Sequence, residues 1–239
     1  MSESMLRRLS GMALVLSVPL WIAGEAIHPR SEGLADVVGF GQSPSHAILA
    51  VAFVFLLLGL PGLYGSHAGR SGVLGLVGYV LMVVFVAYHV YMFLYETGPV
   101  AFMARDSGAE RLFADGGVVE QGTLRTWLAA PVSLAPIIYG IALLRARRFP
   151  RVAGWLVISW LPVFVAFNVM LAALPPAGQE MLFDLRFANV GIGGSYLLLL
   201  AGLAVAGNQL WRWSSAEEPL PQPVAQRAAA PSRRPSRSK

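Results

Sequence analysis

Six blocks of apolar sequence dominate this chain, and each is long enough to cross a lipid bilayer. They run Leu9–Ile27, Ala47–Tyr64, Val73–Tyr95, Thr126–Leu144, Val152–Leu174 and Phe187–Leu210. A helix rises about 1.5 Å per residue, so roughly 20 apolar residues span a hydrocarbon core of about 30 Å. Backbone amides find no water there and must bond within their own helix. The expected fold is therefore all-α, a polytopic transmembrane bundle of six spans. The expected organisation is a short cytoplasmic N-terminus (1–8), a membrane domain (9–213) and a disordered basic tail (214–239).

Composition supports this. Of 239 residues, 56% are hydrophobic and 13% charged, against about 25% charged in soluble domains. The chain has no cysteine, which excludes disulfides, thiolate metal sites and iron–sulfur clusters. A net charge of +5 does not indicate nucleic-acid binding, because the basic residues sit in short loops and a tail rather than on a folded face. All the basic residues except Lys239 are Arg, a bias that fits a GC-rich bacterial genome.

Arg and Lys resist translocation and so set orientation. With the N-terminus inside, the inner segments hold Arg7, Arg8, Arg70, Arg145, Arg147, Arg148, Arg151, Arg212 and the basic residues of the tail. The outer segments hold only Arg30, Arg105, Arg111, Arg125 and Arg186. Both termini are thus expected in the cytoplasm, with the protein in the inner membrane of a bacterium. A competing reading makes the first span a signal peptide, since Arg7-Arg8 precede the apolar run and small residues surround Glu25. The tail's Arg233, Arg234, Arg237 and Lys239 are candidates for contact with anionic lipid headgroups.

Local signals refine the outline. Ser43-Pro44 is expected to cap the second helix. Pro131, Pro136 and Pro162 are expected to kink the fourth and fifth. The long outer connection from Glu96 to Arg125 includes Pro99–Arg105 and Gly108–Ala114, either of which could lie on the surface as a short interfacial helix. Gly72, Gly75, Gly78, Gly191, Gly194 and Ser195 offer small surfaces for close packing.

The polar residues in and beside the spans gather toward the outside. Glu25 and His28 end the first span, and their three-residue spacing puts them on one helix face. His46 opens the second span. His89 lies in the outer third of the third, two turns before Glu96. The inner half offers little in comparison, with His67 expected in a loop. Imidazole and carboxylate together suit zinc, iron, copper or manganese. Glu25, His28, His46 and His89 are therefore candidate metal ligands, and His46 with His89 a candidate pair of haem ligands, although helical rise sets them about 9 Å apart in depth.

His28-Pro29 after the first span, His46 opening the second after a short polar loop, and the Phe149-Pro150-Arg151-Val152-Ala153-Gly154-Trp155 run into the fifth together resemble a recurring type of six-helix bacterial membrane protein. The resemblance covers roughly Leu9 to Trp211. It implies an architecture and no particular activity. From the residues, the leading functional expectation is a binding or sensing protein with an outward-facing His/Glu pocket that holds a metal or haem. A small-solute transporter, a membrane enzyme acting on lipid or quinone, and an accessory subunit are the alternatives.

Overall fold

The computed structural model describes residues 3–29, 34–39, 41–106, 109–110, 132–175, 177–178, 181–182 and 187–213. Helix α1 is Glu3–Ile27, α2 Leu34–Val38, α3 Gln42–Tyr95, α4 Ala135–Ala146, α5 Arg151–Ala173 and α6 Phe187–Trp213. A π-helical turn, Glu96–Val100, and a last α-helical turn, Ala101–Met103, carry α3 onward. Among the described residues there is no strand. Among the described residues, four helices are long and apolar enough to cross a membrane: Glu3–Ile27, Gln42–Met103, Arg151–Ala173 and Gly191–Trp213.

The second and third apolar blocks fall in one continuous helix. At 54 residues, α3 would be roughly 80 Å long if straight. It is not straight, because Gly72 breaks it at φ 59°, ψ −149°. That region is essentially restricted to glycine. Nothing lies within 4 Å of the position a Cβ would occupy there, so backbone conformation, not crowding, demands the glycine. Beyond the break the chain turns back on itself. Tyr64 stacks on Tyr79 with ring centroids 4.5 Å apart, Phe53 stacks on His89 at 5.0 Å, and Ser43 Oγ donates to the carbonyl of Thr97 at 3.1 Å. These pairings describe an antiparallel hairpin with Gly72 at its elbow.

The remaining helices close a ring with the two legs of the hairpin. α1 packs on the first leg and on α6, α6 on α5, α5 on α4, and α4 on the second leg. Small residues set the spacing. A Cβ on Gly11 of α1 would strike the carbonyl oxygen of Gly207 on α6, and one on Gly207 would come within 2.8 Å of the carbonyl of Gly11. Side chains from the whole ring fill its centre, including Leu14, Trp21, Phe53, Met82, Phe85, Tyr139 and Trp160, all buried. The outward faces are apolar too: Leu58, Val73 and Val169 are more than 60% exposed. In water such surface would be a liability; against hydrocarbon it is not.

Several local expectations change. Ser43 is not the helix cap, because the chain is already helical one residue after Gly41, and Ser45 N donates to Gly41 O at 3.0 Å. Ser43 therefore lies inside the first turn and bonds across to Thr97 instead. Pro136 does not kink a helix. It stands in the first turn of α4, where its missing N–H costs nothing. Pro162 does lie inside α5. Pro99–Arg105 is no separate surface helix, since it continues the helical path of α3 through Met103. α2 covers this end, with Val37 packed against Val100 and Ala104. Pro131, most of Gly108–Ala114, the start of the fourth apolar block and the tail lie outside the described residues.

Candidate functional site

The elbow of the hairpin and its open end each hold a cluster of buried polar groups. At the open end His46, 1% exposed, faces Glu96, 7% exposed, with 2.6 Å between Nε2 and Oε2. The pair joins the two ends of the hairpin. His46 is placed by the first turns of α3, and Glu96 is the first residue of the π-helical turn. Such turns carry an extra residue per turn and recur at functional sites.

Proton positions follow from the partners. Nδ1 of His46 lies 2.8 Å from the carbonyl of Gln42. A carbonyl only accepts, so Nδ1 carries a proton. Nε2 faces a carboxyl oxygen, so a second proton lies between ring and acid. The pair is either imidazolium with carboxylate or imidazole with carboxylic acid, and it is neutral as a unit in both.

Around the pair, His28 follows the end of α1 and its ring centroid lies 4.8 Å from that of His46. Nδ1 of His28 donates to the carbonyl of Pro29 at 2.9 Å. Gln42 is fully buried one helical turn before His46, and neither its carboxamide oxygen nor its nitrogen meets a partner among the described residues. Leaving such a group unbonded costs about 1–3 kcal/mol. Glu25 turns toward α6, where its carboxyl carbon would stand 2.6 Å from a Cβ on Gly193. Trp21 Nε1 donates to the carbonyl of the same Gly193 at 3.1 Å.

His89 belongs elsewhere. Its Nδ1 donates to Phe85 O at 2.8 Å, and its Nε2 accepts from the hydroxyl of Tyr196 at 2.9 Å. Both ring nitrogens are thereby engaged in a layer built from Phe53, Phe85 and Tyr196, one step deeper than His46. The four expected ligands thus divide. His28 and His46 adjoin, Glu25 leans on α6 within electrostatic reach of His46, and His89 is held by Tyr196. Among the described residues no group of three or more His, Asp or Glu side chains is placed to hold a metal ion. His46 bonds Gln42 and Glu96, whereas His89 bonds Phe85 and Tyr196. Asn168 bonds its own helix at Phe164 O, 2.8 Å away.

The elbow cluster departs from the sequence reading. His67 is not in a loop but inside α3 and 1% exposed. Ser71 gives its proton to the carbonyl of His67 at 3.1 Å, so Nδ1 of the ring is the donor to Ser71 Oγ, also 3.1 Å away. Nε2 lies 3.4 Å from Tyr139 Oη of α4. Nearby, Arg148 donates to Ser66 O at 2.7 Å and places its guanidinium 5.0 Å from the Trp213 ring centre. Buried polar groups are therefore not confined to one end. Sequence reasoning also missed Glu96 as the partner of His46 and gave Gln42 no role. The pairing of positions on either side of Gly72 was the signal available for Glu96, once the hairpin is drawn.

The chain matches no protein-family model, no characterised protein and no solved structure. What the fold defines on its own is an all-helical chain with helices long and apolar enough to span a membrane.

Proposed function

We propose that this is a six-span integral membrane protein of the binding or sensing class, acting through the polar site formed by His28, Gln42, His46 and Glu96. The contact between His46 and Glu96 is the observation that carries the reading. An acid–base pair inside an apolar bundle stabilises less than well-packed apolar residues of the same size. Ionisable groups inside membrane bundles are rare and commonly mark binding sites or proton paths. The unpartnered Gln42 carboxamide beside it offers its N–H donors and its acceptor oxygen to an incoming molecule. The set suits a small polar solute bound by hydrogen bonds, with the shared proton of the pair able to move in response.

The two legs of α3 count as separate spans in this reading, and α4 begins within the fourth apolar block, Thr126–Leu144. Both termini lie in the cytoplasm, in a bacterial inner membrane. Arg70, Arg145, Arg147, Arg148, Arg151 and Arg212 support this orientation, because they cluster at the elbow end. Glu25, His28, His46 and Glu96 cluster at the other. Single cysteines introduced as Arg147→Cys and Gly98→Cys test it in the naturally cysteine-free chain. A membrane-impermeant maleimide should label only position 98 on intact cells, and labelling of position 147 alone would reverse the orientation.

The site is tested on purified full-length protein. Elemental analysis and an absorption spectrum reveal a metal or haem directly. Thermal-shift titrations with zinc, acetate, methylammonium and acetamide then probe cations, anions and hydrogen-bonding solutes. At least one should raise the melting midpoint of the native protein and leave those of Glu96→Gln and His46→Gln unchanged. A response of equal size in both variants would remove the site from the function.

A further inference from the structure

At the basic end the turn between α4 and α5 opens a crevice of about 470 Å³, lined by Ile141, Leu144, Arg145, Arg147, Arg151 and Trp155. The turn holds four arginines, and the fold separates them. Arg148 points inward to Ser66 and Trp213, fastening the turn to the elbow. Arg145, Arg147 and Arg151 are exposed on the crevice. Among the described residues no carboxylate pairs with any of the three. Like charges this close repel one another unless an anion lies between them.

Arg147 adds a second sign. It caps α4 in the left-handed conformation, φ 53°, ψ 28°, a position that glycine usually fills. The rest of the crevice is apolar and opens sideways: Ile141 is 43% and Trp155 58% exposed. A cationic rim above an apolar wall matches a phosphate carried on hydrocarbon, and guanidinium groups bind phosphate with two parallel bonds. Basic pockets between membrane helices on the cytoplasmic side take anionic headgroups.

We infer that this crevice is a binding site for an anionic phospholipid, with its phosphate against Arg145, Arg147 and Arg151 and its first acyl carbons along Ile141, Leu144 and Trp155. The site lies at the opposite end of the bundle from His46 and Glu96. It shares with the proposed function the premise that α4 and α5 lie in a bilayer with the arginines on the cytoplasmic side.

The test uses the full chain in a neutral detergent, titrated with phosphatidylglycerol or phosphatidylcholine and read by native mass spectrometry. One phosphatidylglycerol should bind with at least tenfold preference. Arg145→Gln/Arg147→Gln/Arg151→Gln should abolish that preference, whereas Arg233→Gln/Arg234→Gln/Arg237→Gln in the tail should keep it. Millimolar inorganic phosphate or glycerol 3-phosphate should not displace the lipid. Equal binding of both lipids, preference retained in the turn variant, loss only in the tail variant, or full displacement by free phosphate would each overturn the site. If the triple variant does not fold, the three single variants replace it. Each should weaken binding severalfold, and unchanged affinity in all three would be decisive against the inference. Release of the native chain from membranes by alkaline carbonate would instead refute the shared membrane premise.

Discussion

The hydroxyl of Tyr196 donates to Nε2 of His89 at 2.9 Å, bridging the second leg of the hairpin and α6 across 107 positions of sequence. With Nδ1 committed to Phe85 O, a neutral ring leaves Nε2 as the acceptor for the tyrosine hydroxyl. Tyr196→Phe keeps the ring and deletes the proton. It should destabilise the bundle by about 1 kcal/mol without loss of helicity, as read by SDS titration of the detergent-solubilised protein. In a double-mutant cycle with His89→Leu, a coupling energy near zero would show that the bond contributes nothing.

His46 and Glu96 should behave differently from that pair. His46→Leu strands a buried acid and should cost about 3–5 kcal/mol. His46→Leu combined with Glu96→Leu should regain most of that loss, since apolar pairs replace buried ion pairs at little cost. The same double variant should lose every solute response of the native protein. Stability restored together with an intact response would show that the pair is not the binding element.

Gly72→Ala should destabilise the hairpin by roughly 1–3 kcal/mol, the cost of holding a side-chain-bearing residue in that backbone region. Space is available at the position, so the loss would be purely conformational. The check is the same SDS titration, with Gly65→Ala as control. Gly65 also has open space around it and lies in regular helix, so this variant should be neutral or slightly stabilising.

Gly207→Leu tests the α1–α6 contact. Even its Cβ would lie 2.7 Å from Leu14 Cβ, so the helices must separate. Overpacking of this kind costs about 1–3 kcal/mol. A lowered thermal midpoint is expected, and an unchanged one would mean that the two helices do not approach as closely as the glycines allow.

The apolar blocks and the gathering of arginine at one end were legible in the sequence because hydrocarbon length and charge are one-dimensional properties. The site was legible only in part. His28 and His46 are close in sequence and meet in space. The seven-residue spacing of His89 and Glu96 put them on one helix face, but also about 10 Å apart along the axis. They fall in different layers and take different partners. His67 was misread because Ser66, His67 and Arg70 look like loop residues, whereas the break in α3 comes later, at Gly72. Nothing local in the sequence announces that Tyr139 lies beside His67, since that contact depends on how α4 closes the ring.

The Gly72 elbow has a consequence for biogenesis. Its legs meet with no slack between them, so neither can wait in water while the other finds lipid. In the proposed topology a fork of this shape enters the bilayer as one body, its tip held back by Arg70, with the residues flanking His46 and Glu96 brought across together at its prongs. The latch between them can therefore form as soon as the fork has inserted, before α4, α5 and α6 have been synthesised.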